Sequence, residues 1–357
     1  MGFRPYGIGQ SGHRIALVPM STGGLVEASV PPRTAPLTTE DAGAFQQAAG
    51  VIADAVNGFL QGKAEVVSLA LTCLLAEGHL LLEDVPGVGK TSLARSLASA
   101  LGTPWQRIQF TPDLLPGDVT GVSVFHQDSS SFVFHPGPVF SNFVLADEVN
   151  RAAPRTQSAL LEVMEERQVT VDGKPFAVPR PFLVIATQNP VEMDGTYPLP
   201  EAQLDRFLLK TAVGYPDHDA EVRVLQSSHA GAEVDDVPQV SSADDVAALI
   251  GLARRVHVAP AVFDYIAALV GHTRTMPQLR LGSSPRGALG LLRASRVRAA
   301  LAGRHYVVPS DVQGLAGPVL GHRMLVSSTF EASGGTAADA AAEAVDTVPA
   351  PPADGQR

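Results

Sequence analysis

The sequence predicts an α/β protein in which a parallel sheet covered by helices is followed by a small all-helical domain. Between residues 79 and 214, strand-length apolar runs alternate with segments of helical periodicity, which is the pattern of a parallel sheet with helices on both faces. After about Tyr215 no strand pattern recurs, and alanine, leucine and arginine at helical spacing dominate. In such a sheet a ligand is expected at the carboxyl ends of the strands.

The elements are predicted as follows in chain order. Two helices come first, one from Thr39 to about Leu60 with Asp41 in its first turn, and one from Glu65 to Ala76. The strands of the sheet and the helices between them are predicted at 79–85, 89–101, 105–110, 143–148, 155–167, 182–188 and 207–214. The helices of the second domain are predicted at 217–228, 241–256, 260–274, 285–302 and 309–316.

Composition sets the domain limits and the class of protein. The segment 1–37 and the tail 331–357 lack large apolar residues at regular spacing and are expected to be disordered, which leaves a core at 38–215 and a helical domain at 216–330. Cys73, the only cysteine, lies in an apolar run and is expected in the core. No apolar run reaches the roughly 18 residues that span a bilayer, so we expect a cytoplasmic protein without a transmembrane segment. The net charge of −10 disfavours nucleic acid as a partner.

The segment 83–91, EDVPGVGKT, predicts a loop that binds the phosphates of a nucleotide, because it follows an apolar strand and precedes a helix. Gly87 and Gly89 let backbone N–H groups approach an anion at which the helix N-terminus is also directed. Lys90 is expected to reach the β- and γ-phosphates, and Thr91 to place its hydroxyl on Mg²⁺. The predicted nucleotide-binding residues are Asp84, Val85, Pro86, Gly87, Val88, Gly89, Lys90, Thr91, Ser92 and Asp147. The pattern normally has glycine at position 84, so a Pro-Gly turn before a lysine is the alternative.

A second motif is an apolar strand, Phe143 to Glu148, that ends in two carboxylates. A buried strand normally carries such charges only where they are used. Asp147 is expected to hold Mg²⁺, directly or through water, and Glu148 to orient and polarise an attacking water. The alternative is an acidic pair in the first turn of a helix.

Two inserts interrupt the alternation of strands and helices. At 114–140, apolar segments flank the polar tip at 127–131, and at 168–178 an Asp-Gly pair separates two short strands. Both patterns predict β-hairpins. Ordinary solvent-facing loops are the alternative.

Taken together, these residues resemble the AAA+ ATPases, and within them the MoxR family, over about residues 40–328. The matching strings are GHLLLEDVPGVGKT at 78–91, LADEVNRA at 145–152, TQSALLE at 156–162, MEERQVTV at 164–171, ATQNP at 186–190 and LPEAQLDRF at 199–207. The resemblance implies an αβα P-loop core with a five-stranded parallel sheet and a helical lid. It also implies that ATP and Mg²⁺ are bound.

The resemblance assigns further site residues. Asn189 corresponds to sensor 1, where an amide contacts the γ-phosphate or the attacking water. Arg206 corresponds to the arginine finger that acts across a subunit interface, and Arg286 corresponds to sensor 2, which links the lid to the nucleotide. Without the resemblance, Asn189 would fit a turn that ends a strand. Arg206 would fit a surface ion pair, and Arg286 a solvated helix end. Arg151 and Arg155 remain alternative fingers.

The function that the resemblance implies is an ATP-hydrolysing chaperone that forms a ring, expected to be a hexamer. Its two hairpins resemble inserts that project toward the pore or the substrate. Its client would be a separate protein with a von Willebrand factor A domain, and the work would be maturation or metal insertion. Alternatives are a metal-chelatase-like motor subunit, a nucleic-acid-dependent motor and a nucleotide-gated scaffold with little turnover.

Overall fold

The computed structural model describes residues 35–189, 197–229, 231 and 233–352, and its centre is a five-stranded parallel sheet. The strands lie in the order β2-β5-β8-β1-β9, and every neighbouring pair is parallel. Their bounds are β1 Leu80–Glu83, β2 Trp105–Gln109, β5 Phe143–Asp147, β8 Leu183–Gln188 and β9 Leu209–Thr211. The predicted fold class, a parallel sheet within an α/β core, is therefore confirmed.

Helices cover both faces of this sheet. The helices of the core are α1 Thr39–Phe59, α2 Ala64–Leu75, α3 Lys90–Ala100, α4 Pro116–Thr120, α5 Pro154–Glu166 and α6 Glu201–Leu204. Leu80 and Leu82 pack into the apolar core shared with α1, α2 and α3, whereas Leu81 packs on the opposite face, in the core that contains the apolar side of α5. The alternation follows from the period of two in a strand.

Both inserts form antiparallel hairpins. The first pairs β3 Gly121–His126 with β4 Ser131–Pro136, and the second pairs β6 Gln168–Val171 with β7 Lys174–Ala177. Apolar side chains of the first hairpin are exposed, among them Phe125 and Phe132, whose rings contact each other at 5.2 Å between centroids.

The second domain is mainly helical, but it also contains strands, so the prediction of an all-helical domain was wrong in this respect. The short strands β10 Leu279–Leu281 and β11 Leu325–Val326 pair antiparallel. Sequence periodicity does not detect strands of this length because each spans at most one and a half repeats of the strand period. The helices of this domain are α7 His218–His229, α8 Ala243–Ala253, α9 Pro260–Thr273, α10 Pro285–Leu301, α11 Pro309–Leu320 and α12 Ser328–Ala332.

The predicted disordered tail contains a packed helix, α13, at Ala337–Thr347. The Thr336 side chain accepts a hydrogen bond from the Asp339 amide, and the Asp339 carboxylate accepts one from the Thr336 amide, so the helix begins with a capping box. Its buried residues are alanines, including Ala341, which allow close approach to α11. The tail was expected to be disordered because it lacks large apolar residues, but small side chains can also fill an interface between helices.

The predicted disordered N-terminal segment is ordered at its end. Leu37 is buried, and its amide donates to the Arg255 carbonyl, while Arg255 donates to the Ala35 and Pro36 carbonyls. Residues 1–34 and 353–357, on which the rest of the disorder predictions fall, lie outside the described residues. Among the residues that are described, no helix is long and apolar enough to cross a membrane.

Candidate nucleotide site

The loop between β1 and α3 has the backbone that a phosphate loop requires. Gly87 and Gly89 have φ values of 87° and 99°, in the left-handed region that favours glycine. A Cβ placed on either glycine would meet no atom within 4 Å, so glycine is needed for the backbone conformation and leaves open space beside it. The helix α3 begins directly after Gly89 and directs its N–H groups toward the same space.

Asp84 stabilises this loop through backbone contacts. Its carboxylate accepts hydrogen bonds from the Val85 amide at 2.8 Å and the Gly214 amide at 2.6 Å, which connects the loop to the chain after β9. Lys90 Nζ donates to the Asp84 carbonyl at 2.8 Å. Asp84 stands where the motif usually has glycine. Its carboxylate therefore holds the loop and already accepts from two N–H donors.

Asp147 is the last residue of β5, and its carboxylate is buried. Its Oδ1 accepts the Thr187 hydroxyl at 2.6 Å. Its Oδ2 lies 2.5 Å from Arg107 Nη2 and 3.2 Å from Arg107 Nε. Thr187 belongs to β8, so both neighbours of β5 in the sheet position this carboxylate.

Glu148 follows β5 in the left-handed conformation, with φ 55° and ψ 49°. A non-glycine residue in this region is uncommon and often marks a functional site. Its amide donates to Thr187 Oγ1 at 2.9 Å. Its Oε2 accepts from Gln109 Nε2 at 2.9 Å and from Arg151 Nη1 at 3.0 Å.

These groups line one cavity of about 360 Å³, hereafter the phosphate cavity. Its lining residues are Pro86, Gly87, Gly89, Lys90, Thr91, Ser92, Arg107, Gln109, Asp147 and Glu148. The structure therefore brings together the two predicted motifs, which are more than fifty positions apart in sequence. Sequence reasoning missed Arg107 and Gln109. The detectable signal was their i, i+2 spacing on a strand, which places both side chains on one face.

The donor set of the phosphate cavity fits Mg²⁺. The Thr91 hydroxyl and the Asp147 carboxylate line the same cavity, and oxygen donors of these kinds are the ligands that Mg²⁺ prefers. Asn189 comes directly after β8 and is buried. Because β8 lies between β5 and β1, Asn189 is at the edge of the sheet that the carboxyl ends of the strands form, which is also where the phosphate cavity lies.

Arg206 and Arg286 lie elsewhere, at the opposite edge of the sheet, which is formed by the amino ends of the strands. Arg206 precedes β9 and pairs with Glu165 near the end of α5, with 3.0 Å between Arg206 Nε and Glu165 Oε2. Arg286, in the first turn of α10, donates to the other Glu165 oxygen at 2.7 Å. One carboxylate thus holds the two arginines together, and neither lines the phosphate cavity.

The two arginines line a second cavity, of about 560 Å³, between the core and the second domain. We refer to it as the arginine cavity. Its charged lining residues are Glu77, Glu165, Arg167, Asp205, Arg206, Arg286, Arg293, Arg296 and Arg323. Guanidinium groups outnumber carboxylates in this lining, so the cavity carries positive charge. Burial lowers the pKa of the Arg293 and Arg323 side chains.

The segment before β9 is tied to the second domain. The Asp205 carboxylate accepts from Ser284 Oγ at 2.9 Å and from Arg323 Nε at 2.7 Å. His322 Nε2 lies 3.0 Å from the Phe207 carbonyl, and burial lowers the pKa of His322 to about 3, so the ring is neutral and donates this bond. The residues on either side of Arg206 are therefore held directly by the second domain.

The alternative fingers differ in position from Arg206. Arg151 contacts Glu148 of its own chain beside the phosphate cavity. Arg155 is exposed on the first turn of α5.

Comparison with known proteins identifies the class of this site. The family model described as "ATPase family associated with various cellular activities" matches residues 79–209, and the model of the AAA lid domain matches residues 271–344. A solved structure of a candidate ATPase from Cytophaga hutchinsonii superimposes with a TM-score of 0.81 at 36% sequence identity, covering 87% of this chain and 97% of the other. The chain is an AAA+ ATPase with a P-loop core and a lid.

Relatives define the branch within that class. Chaperone MoxR1 of Mycobacterium tuberculosis is 43% identical over 281 residues, which cover 76% of this chain and 74% of the relative. Protein MoxR of Paracoccus denitrificans is 34% identical over 303 residues, or 78% and 88% of the two chains. YeaC of Bacillus subtilis is 48% identical over 277 residues, which cover 78% of this chain and 87% of the relative. The protein belongs to the MoxR family.

Proposed function

We propose that this protein is an ATP-driven chaperone whose subunits assemble into a ring, expected to be a hexamer, and act on a separate protein client. The observation that carries the proposal is the position of Arg206 and Arg286, which share Glu165 at the sheet edge opposite the phosphate cavity. Guanidinium groups at that edge cannot stabilise phosphate charge at the chain's own P-loop. A second copy would bring its nucleotide to them.

Within this proposal, each residue has a distinct role at the interface. Lys90 and the backbone N–H groups after Gly87 bind the phosphates, and Glu148 polarises the attacking water with Asn189 orienting it. Thr91 and Asp147 would hold Mg²⁺, which neutralises phosphate charge. Arg206 and Arg286 of the neighbouring copy stabilise the charge that develops on the γ-phosphoryl group. Arg286 would thus serve the neighbour's nucleotide, and not that of its own chain as expected from a sensor 2 position.

The coupling of hydrolysis to work follows from the contacts of the second domain. Because Ser284 and Arg323 hold Asp205, a lid that moves with the nucleotide state moves the adjacent finger. The hairpin β3–β4 is the proposed client contact, since Phe132 is 70% exposed and Phe125 is 51% exposed. Exposed aromatic groups of this kind are typical of protein interaction sites.

The family resemblance supports the finer assignment of the client. A partner with a von Willebrand factor A domain, matured or loaded with a metal cofactor, is the client that we propose. A pull-down with the Glu148→Gln variant, which should retain ATP and client together, compared with Lys90→Ala, would test this assignment.

Mixed rings test whether the arginines act in trans. Arg206→Ala and Glu148→Gln should each be nearly inactive alone, since an arginine finger contributes on the order of 10³-fold or more to turnover. Mixing the two variants should restore part of the activity, because some interfaces then combine an intact Glu148 with an intact Arg206. Native mass spectrometry with a slowly hydrolysed ATP analogue gives the ring size. A fully active monomer, or an Arg206→Ala variant with near wild-type turnover, would contradict the proposal.

A further inference from the structure

The arginine cavity has more positive charge than its own carboxylates neutralise. Six arginines and three carboxylates line it, which leaves an excess of three positive charges. Each carboxylate already has a guanidinium partner, and the pairs are Glu165 with Arg206 and Arg286, Asp205 with Arg323, and Glu77 with Arg167 and Arg254. The two remaining arginines, Arg293 and Arg296, make no hydrogen bond or close ion pair with any residue that the structure describes.

Arg293 and Arg296 belong to the face of α10 that lines this cavity. Together with Arg286 they follow the spacing i, i+7 and i+10, which places all three on one side of the helix. The Arg296 Nε atom is buried and has no acceptor within the described part of the chain. Burial lowers the pKa of both side chains, because a charge held away from water is disfavoured. Two guanidinium groups are therefore held here without the anion that would offset this cost.

A small anion can reach these groups. The volume of about 560 Å³ is within the range of sites that bind small molecules. Leu289 contributes to the lining and is 59% exposed, so the cavity is open to solvent. The planar forks of guanidinium groups match the oxygen atoms of phosphate, and each fork can donate two parallel hydrogen bonds.

We propose that the arginine cavity binds a free phosphate-type oxyanion at Arg293 and Arg296, separately from any nucleotide in the phosphate cavity. The anion supplies the negative charge that these two side chains lack. Arg206 and Arg286 keep their contacts with Glu165 and are not needed to hold it. A single subunit contains the whole site, so this inference goes beyond the proposed ring and does not depend on it.

Inorganic pyrophosphate is the probe, and the parent chain is full-length Lys90→Ala, which weakens phosphate binding at the other cavity. Thermal unfolding is followed at increasing pyrophosphate, with the ionic strength held constant by sodium chloride. The midpoint should rise and saturate, because a ligand of the folded state stabilises it. Arg293→Met and Arg296→Met, each added to this parent, should raise the half-saturating concentration at least about tenfold, since each removes hydrogen bonds to a charged group. The matched control is Arg280→Met, the same change at an exposed arginine of β10 outside the cavity, which should keep the parent response.

Unfolding without pyrophosphate separates anion binding from a structural role. Arg293→Met and Arg296→Met should then unfold at the parent temperature or above it, because each removes a positive charge from a cavity with positive charge in excess. A structural role would lower the temperature instead and would contradict the inference. If Arg296→Met does not fold, Arg296→Lys decides for that residue, since it keeps the charge without the fork and should weaken the response.

Two further results would overturn the inference. One is a parent chain that does not respond to pyrophosphate, or a response that both methionine variants retain in full. The other is a response that occurs only in nucleotide-bound rings, identified by native mass spectrometry, because the phosphate would then come from the nucleotide of a second copy.

Discussion

In the proposed function, complementary halves of one catalytic site lie at two edges of the sheet, one formed by the carboxyl ends of its strands and the other by their amino ends. At the carboxyl end of the strands, the phosphate cavity contains a lysine, a hydroxyl and two carboxylates. At the opposite edge, the arginine cavity contains guanidinium groups held by Glu165 and by contacts with the lid. The first edge has the groups that we propose to bind a nucleotide and activate water. The second has charge complementary to phosphate, so in the proposed function the two edges act together across a subunit interface.

The largest expected effect lies at the first edge, and it separates binding from chemistry. Lys90→Ala should lose nucleotide binding, because we propose that Lys90 contacts the phosphates in the ground state. Glu148→Gln should retain binding while turnover falls on the order of 10²- to 10⁴-fold, the range for loss of a general base. Equilibrium binding of a fluorescent ATP analogue and steady-state phosphate release measure the two quantities. Equal binding by both variants would contradict the division of roles.

Local sequence patterns indicated the residues of the first edge, whereas Arg206 and Arg286 at the second edge were named only through the family resemblance. Gly87, Gly89, Lys90 and Thr91 are consecutive or nearly so, and a strand–loop–helix context is a local property. Asp147 and Glu148 were predictable because charges at the end of an apolar strand are unusual.

The positions of Arg107 beside Asp147 and of Gln109 beside Glu148 depend on which strands are neighbours. Position along the chain does not reveal that β2 lies beside β5. The placement of Arg286 depends on how the second domain is oriented on the core. That orientation is set by tertiary contacts such as Ser284 with Asp205, which no local pattern encodes.

The helix α13 supports the second edge from the lid side. It packs against α11 and the turn at 321–323, where His322 and Arg323 contact the segment before β9. Ala341→Asp would bury a carboxylate without a partner and should lower the free energy of unfolding by about 3 kcal/mol. Ala342→Asp, an exposed neighbour on the same helix, should change it by less than about 0.5 kcal/mol. Chemical denaturation measures both, and equal effects would mean that the tail helix is not packed in solution.

The second edge should also be sensitive to acid, because burial lowers the pKa of His322 to about 3. The unfolded chain binds this proton near pH 6.5, so the folded state loses relative stability as the pH falls from about 6.5 toward 3. At pH 5 the loss from His322 is about 2 kcal/mol. His322→Gln keeps a donor for the Phe207 carbonyl without titrating, so its unfolding free energy should fall less between pH 7 and pH 5. Identical pH dependence of the two chains in urea denaturation would exclude this role for His322.

The smallest effect is the most specific to the arginine pair. Glu165→Gln keeps the shape of the side chain but removes the charge that holds Arg206 and Arg286 together. Both arginines remain present, so we expect turnover to fall only about tenfold, through loss of positioning. Affinity for nucleotide should not change, because Glu165 is far from the chain's own phosphate loop. Glu166→Gln, the same charge change one residue further along α5, is the matched control and should retain nearly full turnover. If Glu165→Gln weakened nucleotide binding by an isolated subunit, the arginines would act on the chain's own site, and the division between the two edges would be wrong.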